Sequence, residues 1–325
     1  MKAIVINEYG GTEQLVLKNL AMPEPSSGEV LIRVKAFGIN RAEVYMRLGL
    51  WGEVARVSGI ECVGEVVSDQ TGELVQGQKV VAIMGGMGRS RNGSYAEFTC
   101  VPAANVLPVE TSMDWTDLAA IPESYVTAWS CLHDNMQLKS GQTVVVRGAT
   151  SALGQAAVNI AANIDDVRII ATTRNFKNVE LLQNLGAAET LIDDGGLSQQ
   201  LRKKYPEGVD SVLDIVGNSC LLDSLQMVKK DGFVCQAGFL GGTESLQFNP
   251  LTDMPAGVNL NFFASFMYGT PAFPLSEIPL QDIVTMAEKG CYKSKPVEVF
   301  AFEDIALAHE LMESDMAGGK IVVRI

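Results

Sequence analysis

The sequence predicts an α/β protein in which a small β-rich domain is combined with a doubly wound parallel sheet. Its 325 residues correspond to roughly two domains of about 150 residues each. Up to residue 120, short strand-like runs broken by Gly and Pro indicate a compact β-barrel or sandwich. From 121 to 265, near-continuous apolar strands alternate with helices, which is typical of a parallel sheet covered on both faces. Right-handed crossovers then make that sheet doubly wound.

The first domain, residues 1–120, is predicted from five closely spaced apolar runs. They read KAIVI, EVLIRVKAFGI, CVGEVVS, QKVVAIM and YAEFTCV. Turn-rich segments such as PEPSSGE at 23–29 separate them. The third zone, residues 266–325, contains predicted helices near 280–289 and over 302–314, followed by the strand KIVVRI. A final strand after a nucleotide-type domain is expected to return to the sheet of the first domain.

The second domain, residues 121–265, begins its alternation with the apolar, β-branched run TVVVRGA at 143–149. The helix ALGQAAVNIAANI follows, then the strand RIIATT at 168–173 and an amphipathic helix over 177–187 that ends at Gly. The remaining elements alternate in the same way. They are the strand ETLIDD, the helix LSQQLRKKY, the strand SVLDIVG, the helix LLDSLQMVKK and the strand FVCQAGFL.

Composition excludes several classes of partner and site. The chain has 38 acidic and 25 basic residues, a formal charge of 25 − 38 = −13, which opposes binding to nucleic acid or an anionic membrane. No window approaches 18 uninterrupted apolar residues, so no membrane span is expected. Six scattered cysteines without a CxxC pair and an N-terminus without a signal-peptide pattern predict a reducing cytoplasm. Only two histidines, His133 and His309, are present, which limits metal and nucleophilic chemistry.

The segment GATSALG at 148–154 lies between a predicted strand and a predicted helix. Small residues there allow the backbone to approach a pyrophosphate, whose charge the helix N-terminus stabilises. The motif is not a strict GxGxxG, because Thr150 stands where the middle Gly is expected. A tight turn without a ligand is the alternative, but the repeated βα pattern favours dinucleotide binding. The residues expected to surround the pyrophosphate are Gly148, Thr150, Ser151, Ala152, Leu153 and Gly154.

The end of the next strand distinguishes the two nicotinamide cofactors. An NAD site has a carboxylate there, about 20 residues after the glycines, to bind the ribose 2′-hydroxyl. This chain instead has Thr173, Arg174 and Lys177, which suit a 2′-phosphate. A solvated basic pair at a helix start is the alternative, but cations are unfavourable beside a helix N-terminus. The sequence therefore predicts NADPH.

Several segments together resemble a known family. They are GINRAEVYMRLG (38–49), GIECVGEV (59–66), GSYAEF (93–98), AAIPESYVTAW (119–129), GATSALGQAAV (148–158) and GGKIVVRI (318–325). Nearly end to end, the chain resembles a zinc-free medium-chain dehydrogenase/reductase of the quinone oxidoreductase group. The resemblance implies a GroES-like β-barrel, discontinuous in sequence, plus a Rossmann domain. Residues 1–120 and 266–325 then form the catalytic domain, and 121–265 bind NADPH.

The resemblance also argues against a metal. Zinc-dependent relatives place ligands at the positions of Asn40, Ile60 and Glu123, but Asn is a poor zinc ligand and Ile cannot coordinate. The four-cysteine lobe that binds structural zinc is absent as well. Glu61 and Glu123 remain, and they are expected to pair with a local cation or to enter a hydrogen-bond network.

Without a Lewis acid, the expected acceptor is a quinone or an α,β-unsaturated carbonyl, whose negative charge delocalises as hydride arrives. The resemblance places Asn40 and Tyr45 at the nicotinamide and substrate, with the Tyr45 hydroxyl donating to the acceptor oxygen. Packing alone is the alternative role for Tyr45. Thr127 is implied as a nicotinamide-side contact. The nicotinamide half is implied to lie along Gly238, Phe239 and Leu240.

Other polar residues of the pattern are interpreted as structural. These are Arg47, Asp214 and His309, the last of which is expected on a surface helix. The aromatic stretch NFFASFMYG at 261–269 is expected to line the site or to form a homodimer interface, as in the family. Two other functions remain open: a zinc-type alcohol dehydrogenase with atypical ligands, and a non-catalytic NADPH-binding sensor or scaffold.

Overall fold

The computed structural model describes residues 1–325, and the chain divides into two compact units. The β unit comprises Met1–Glu123, Ser265–Gly290 and Ser294–Ile325, and the α/β unit comprises Ser124–Ala264 and Cys291–Lys293. No helix combines the length and the apolar character that are needed to cross a bilayer.

Fifteen strands and ten α-helices make up the regular structure. The strands are β1 (Lys2–Ile6), β2 (Leu15–Asn19), β3 (Glu29–Ile39), β4 (Glu61–Asp69), β5 (Lys79–Ile83), β6 (Phe98–Pro102), β7 (Val106–Pro108), β8 (Thr143–Arg147), β9 (Arg168–Thr173), β10 (Glu189–Ile192), β11 (Val209–Asp214), β12 (Val228–Gln236), β13 (Asn259–Phe262), β14 (Glu298–Ala301) and β15 (Ile321–Arg324). The helices are α1 (Arg41–Arg47), α2 (Trp115–Ala119), α3 (Pro122–Ser130), α4 (Ala152–Ala161), α5 (Val179–Asn184), α6 (Leu197–Lys204), α7 (Leu221–Leu225), α8 (Pro250–Asp253), α9 (Leu280–Glu288) and α10 (Ile305–Glu313).

The β unit is organised around the long strand β3. Its main sheet has the order β14-β15-β3-β4-β5-β7, and β6 also pairs with β3. Val323 of β15 lies opposite Phe37 of β3 in antiparallel register, so the prediction that the final strand returns to the first domain is confirmed. Phe37 is fully buried and stacks on Tyr95 with 4.6 Å between ring centroids. Strand β3 therefore joins segments distant in sequence around one apolar core.

The α/β unit contains the doubly wound sheet that the sequence predicts. Its six strands are all parallel, in the order β10-β9-β8-β11-β12-β13. The central residues Val144, Val145 and Val146 are fully buried, as in strands covered on both faces. The order reverses between β8 and β11, and ligands of such sheets bind beyond the carboxyl ends of the strands at this point.

One predicted helix was too long. The sequence indicated a helix through Lys230, but α7 ends at Leu225 and β12 begins at Val228. Val228 pairs with Val209 of β11, and Asp231 adopts a positive φ of 65°, which helical backbone excludes. Sheet pairing thus overrides the helical spacing, and β12 ends at Gln236, leaving residues 237–240 as a loop.

The sequence predicted that His309 lies on a surface helix. Helix α10 does form, but His309 is not at the surface. Its side chain is fully buried, and its Nε2 lies 3.0 Å from the Tyr95 hydroxyl. Burial lowers the pKa of His309 to about 3, so the imidazole is neutral. The buried face of α10, with Ile305 and Ala308, carries His309 into the core. Its role is structural.

Candidate active site

A buried cluster of polar side chains forms where β3, β4 and β15 run side by side. Asn40 follows β3 and is the N-cap residue of α1, Glu61 begins β4, and Lys320 precedes β15. Because β3 pairs with both neighbours, these three residues meet although they are distant in sequence. A Cβ on Gly38 would lie 2.3 Å from Lys320 Cε and 2.4 Å from Glu61 Oε1. Glycine at position 38 therefore makes room for the cluster.

Lys320 is the central cation of this lysine–carboxylate cluster, defined as Asn40, Glu43, Glu61 and Lys320. Its Nζ lies 2.5 Å from Glu61 Oε1 and 2.6 Å from Asn40 Oδ1. Asn40 Nδ2 donates to Glu61 Oε1 at 2.9 Å, and the backbone N–H of Glu123 donates to Glu61 Oε2 at 2.7 Å. The expected pairing of Glu61 with a local cation is confirmed. Glu123 meets Glu61 through its backbone, while its own carboxylate accepts from Ser265 Oγ.

Glu43, the fourth member of the cluster, is fully buried. Its Oε2 accepts from the backbone N–H of Asn40 at 2.8 Å, and its Oε1 accepts from that of Ile60 at 3.2 Å. Burial raises the pKa of Glu43 to about 8; Lys320 opposes this rise and Glu61 adds to it. Glu43 is therefore largely protonated at neutral pH, and Glu61 is the carboxylate that balances the lysine.

The donor set at this position does not fit zinc. Of the three positions that bear zinc ligands in zinc-dependent relatives, Ile60 offers no donor atom, and both polar atoms of the Asn40 amide are engaged within the cluster. The Lys320 ammonium lies against the same Asn40 oxygen and would repel a divalent ion. No group of three or more His, Cys, Asp or Glu side chains in the chain is arranged to hold a metal.

Tyr45 lies on α1, one turn beyond Asn40. It is half-buried, and burial raises the pKa of its hydroxyl, which keeps its proton and can act as a hydrogen-bond donor. Its ring meets the Trp51 ring edge-on at a centroid distance of 6.4 Å. Arg47 is fully buried and donates to the carbonyl of Gly10 and to Glu313. Arg47 therefore supports α1 rather than a ligand.

The predicted glycine loop connects β8 to α4 in the α/β unit. Gly148 has a φ of +83°, which favours glycine. The Ser151 hydroxyl caps α4, donating to the Gly148 carbonyl at 2.8 Å and accepting from the Gly154 N–H at 3.1 Å. A Cβ on Gly154 would lie 2.4 Å from the Gly148 oxygen. Thr150, Ala152 and Leu153 thus border the free N–H groups at the start of α4. This helix start lies where the strand order of the sheet reverses, and its N–H groups suit a pyrophosphate.

Two other predicted segments of this unit lie beside the glycine loop. The Gly148 N–H donates to Thr172 Oγ1 at 3.2 Å, so the end of β9 adjoins the glycine loop. Leu240 Cδ1 would lie 3.5 Å from a Cβ on Gly148, so the loop of Gly238, Phe239 and Leu240 adjoins it as well. Thr127 is buried within α3, and Asp214 is a buried acceptor for the backbone of Val216 and Gly217, a structural role.

The Thr173 hydroxyl shapes the turn after β9. It donates to the Asn175 carbonyl at 3.2 Å and accepts from the Asn175 N–H at 3.1 Å. Arg174 and Lys177 are exposed on either side of this turn. The structure therefore presents two cations on the turn that follows β9, the strand whose end adjoins the glycine loop.

Sequence reasoning missed three residues of these sites. Lys320 looked like an ordinary lysine before an apolar strand, and nothing in the pattern indicated its burial. Glu43 had a signal, because an acidic residue three positions after Asn40 matches the spacing of a capping box. Thr172 lies one residue before the predicted Thr173 and carried no separate signal.

Comparisons with known proteins agree with both units. Residues 26–111 match the family described as alcohol dehydrogenase GroES-like domain, and residues 152–279 match the family described as zinc-binding dehydrogenase. The synaptic vesicle membrane protein VAT-1 homolog-like of Mus musculus is 30% identical over 71% of the chain and 55% of its own length. The chain therefore spans about half the length of that relative.

Other relatives match over nearly the whole chain. The quinone oxidoreductase of Homo sapiens is 26% identical over 99% of the chain and 97% of its own length. Among solved structures, the Escherichia coli quinone oxidoreductase complexed with NADPH has a TM-score of 0.87 at 20% identity, with 100% of both chains covered. The human VAT-1 homolog-like protein has a TM-score of 0.83 at 24% identity, covering 100% of the chain and 98% of that structure.

Removing the cluster's cation should destabilise the β unit strongly. Lys320→Met leaves the Glu61 carboxylate buried without its partner, which costs about 3–5 kcal/mol of unfolding free energy. Adding Glu61→Gln to this variant removes the buried charge and should recover much of the loss. Urea unfolding of the two single variants and the double variant measures this coupling. Lys289→Met, at an exposed lysine, is the control and should change stability by less than about 0.5 kcal/mol. Additive effects of the two cluster substitutions would contradict the pairing.

The buried proton of Glu43 should make stability fall as the pH rises. The folded carboxyl stays protonated up to a pKa of about 8, compared with an ordinary value of 4.5, so unfolding releases a proton. The opposing slope from His309, whose ordinary pKa is 6.5, is common to wild type and Glu43→Gln and cancels in their difference. Between pH 6.5 and 8, wild type should lose up to about 1.4 kcal/mol per pH unit relative to Glu43→Gln. Parallel stability curves for the two proteins would refute the buried proton.

Proposed function

Because the chain belongs to the medium-chain dehydrogenase/reductase superfamily and, within it, to the quinone oxidoreductase group, we propose that it reduces a quinone or an α,β-unsaturated carbonyl with NADPH and without a metal ion. The observation that carries this proposal is the ion pair of Lys320 and Glu61, 2.5 Å apart, where zinc-dependent relatives bind their metal. An acceptor at such a site receives no Lewis-acid activation. Conjugated acceptors need the least activation of this kind, because they delocalise the charge that arrives with the hydride.

The α/β unit supports the proposed cofactor. Gly148 and Gly154 allow the backbone to approach a pyrophosphate, and the start of α4 stabilises its charge. The 2′-phosphate would lie against Arg174 and Lys177, on the turn that Thr173 shapes. When bound, NADPH supplies the hydride. The nicotinamide half is proposed to contact Thr127 and the loop of Gly238, Phe239 and Leu240.

The β unit supplies orientation and a hydrogen-bond donor. The Tyr45 hydroxyl, which keeps its proton because burial raises its pKa, donates to the acceptor oxygen and stabilises the charge that develops there. Asn40 is held between Glu61 and Lys320, and it begins the helix that carries Tyr45. Its contribution is therefore to orient α1 and to offer a rigid surface to the cofactor. The final proton comes from solvent.

The proposal is tested by NADPH oxidation with a panel of quinones and enones, followed by stopped-flow absorbance. We expect oxidation with conjugated acceptors, none with simple ketones, and no gain from added zinc. Zinc-dependent oxidation of alcohols would instead indicate an alcohol dehydrogenase with atypical ligands. Tight NADPH binding without turnover across the panel would indicate a sensor or scaffold.

The choice of cofactor predicts a selective effect of Arg174→Asp. A carboxylate at this position repels the 2′-phosphate but leaves the rest of the nucleotide site intact. The Kd for NADPH should rise at least about tenfold, while that for NADH changes little, as measured by calorimetry. Lys203→Asp, at an exposed position on α6, makes the same charge change away from the site and should alter neither. Equal losses for both cofactors would contradict the assignment of the phosphate.

We also propose that two copies of the chain pair through β13. This strand is at the edge of the parallel sheet, so one side of its backbone has no strand neighbour, and Phe262 is 58% exposed. Sedimentation should give twice the chain mass of 34.9 kDa. Phe262→Asp places like charges across the interface and should weaken the dimer at least about tenfold. Leu251→Asp, at a side chain that is 90% exposed, is the control. A wild-type monomer would overturn this proposal.

A further inference from the structure

A cavity in the β unit has the features of a binding site for an anionic substrate. Its volume is about 390 Å³, at the lower end of the range for small-molecule sites. Its walls combine aromatic, thioether and charged groups. They include Trp51, Met84, Met87, Arg89 and Phe266. A single ring with a short side chain is the size of ligand that such a cavity accommodates.

The guanidinium of Arg89 lies close to two aromatic rings. Its Cζ lies 4.5 Å from the centroid of Phe266 and 5.4 Å from that of Trp51. These cation–π contacts favour a guanidinium position against the rings, and no carboxylate of the chain forms an ion pair with it. The guanidinium of Arg89 is a planar fork of N–H donors that lines the cavity. Such a fork matches a carboxylate and binds it through two parallel hydrogen bonds.

The loop that carries Arg89 has an unusual backbone. Met84, Gly85 and Gly86 follow β5 with positive φ values of 60°, 61° and 84°, and this conformation is unfavourable for a methionine. The backbone N–H groups of Arg89 and Ser90 both donate to the Gly86 carbonyl at 3.0 Å. The strained turn brings Met84 to the cavity wall and holds the segment with Arg89 in place.

The cavity adjoins the proposed catalytic residues. The Met84 N–H donates to the Ile60 carbonyl at 2.7 Å, one residue before Glu61. On the other side, the Trp51 ring contacts both Tyr45 and Arg89. We infer that this cavity binds the acceptor and that Arg89 selects acceptors bearing a carboxylate. The apolar body of such an acceptor packs on Met84, Met87 and Phe266. This inference rests on the proposed function for its catalytic part.

Glu53 also lines the cavity and opposes the binding of an anion. Its exposed carboxylate leaves Arg89 unpaired, and it repels the ligand through solvent. The two residues should therefore have opposite effects on a carboxylate-bearing acceptor and little effect on its neutral counterpart. This opposition distinguishes a specific anion site from a general change in the cavity.

The test uses two enones that differ by one group, 4-phenyl-3-buten-2-one and its para-carboxylated analogue, with saturating NADPH. In Arg89→Met, kcat/KM for the carboxylated enone should fall at least about tenfold and that for the neutral enone should change little. In Glu53→Gln, kcat/KM for the carboxylated enone should rise. Arg33→Met is the matched control, because Arg33 also stacks on a ring, Phe98, at 5.5 Å, but lies outside the cavity. Equal losses for both enones in Arg89→Met would overturn the inference.

Binding without turnover separates this inference from the proposed function. Calorimetry with benzoate and benzamide should show benzoate binding to wild type, weaker binding to Arg89→Met and tighter binding to Glu53→Gln. Benzoate binding in a protein that oxidises no NADPH would leave the anion site in place and refute the reductase. Normal enone reduction with no preference for benzoate over benzamide would refute the anion site alone.

Discussion

The ion pair between Lys320 and Glu61 is the interaction on which the β unit and its candidate site depend. Both side chains are almost entirely removed from solvent, and their nearest atoms are 2.5 Å apart. A buried pair of this kind is tolerated only when its remaining hydrogen-bonding capacity is satisfied. Here the Asn40 amide and the Glu123 N–H complete it. The pair therefore ties β4, β15, the start of α1 and the start of α3 to a single point.

The two candidate sites differ in how their chemistry is built. The nucleotide site of the α/β unit uses backbone: a glycine with positive φ, a serine cap and the first turn of α4. The site of the β unit uses buried side chains, where the Glu43 carboxyl remains protonated at neutral pH and Lys320 pairs with Glu61. The first arrangement tolerates exchange of many side chains, whereas the second depends on the identity of each member.

The sequence predicted the α/β class, the doubly wound parallel sheet and the glycine loop, because these features follow from local periodicity and turn chemistry. It also predicted the return of the last strand, and for Glu61 it predicted either pairing with a local cation or a place in a hydrogen-bond network. It did not predict Lys320 as the partner, since 259 residues separate the two and only the pairing of β3 with β4 and β15 brings them together. The end of α7 and the burial of His309 were missed for the same reason: Val228 pairs with Val209, and His309 faces Tyr95, through contacts distant in the chain.

The separation of Glu61 from Lys320 has a consequence for biosynthesis. Glu61 emerges from the ribosome 259 residues ahead of the lysine that neutralises it, and the whole α/β unit is translated in between. Until Lys320 appears, closing the β unit would bury an uncompensated carboxylate. We therefore expect the β unit to close only after Lys320 has been made, whereas the α/β unit, which is contiguous in sequence apart from Cys291–Lys293, can fold earlier during translation.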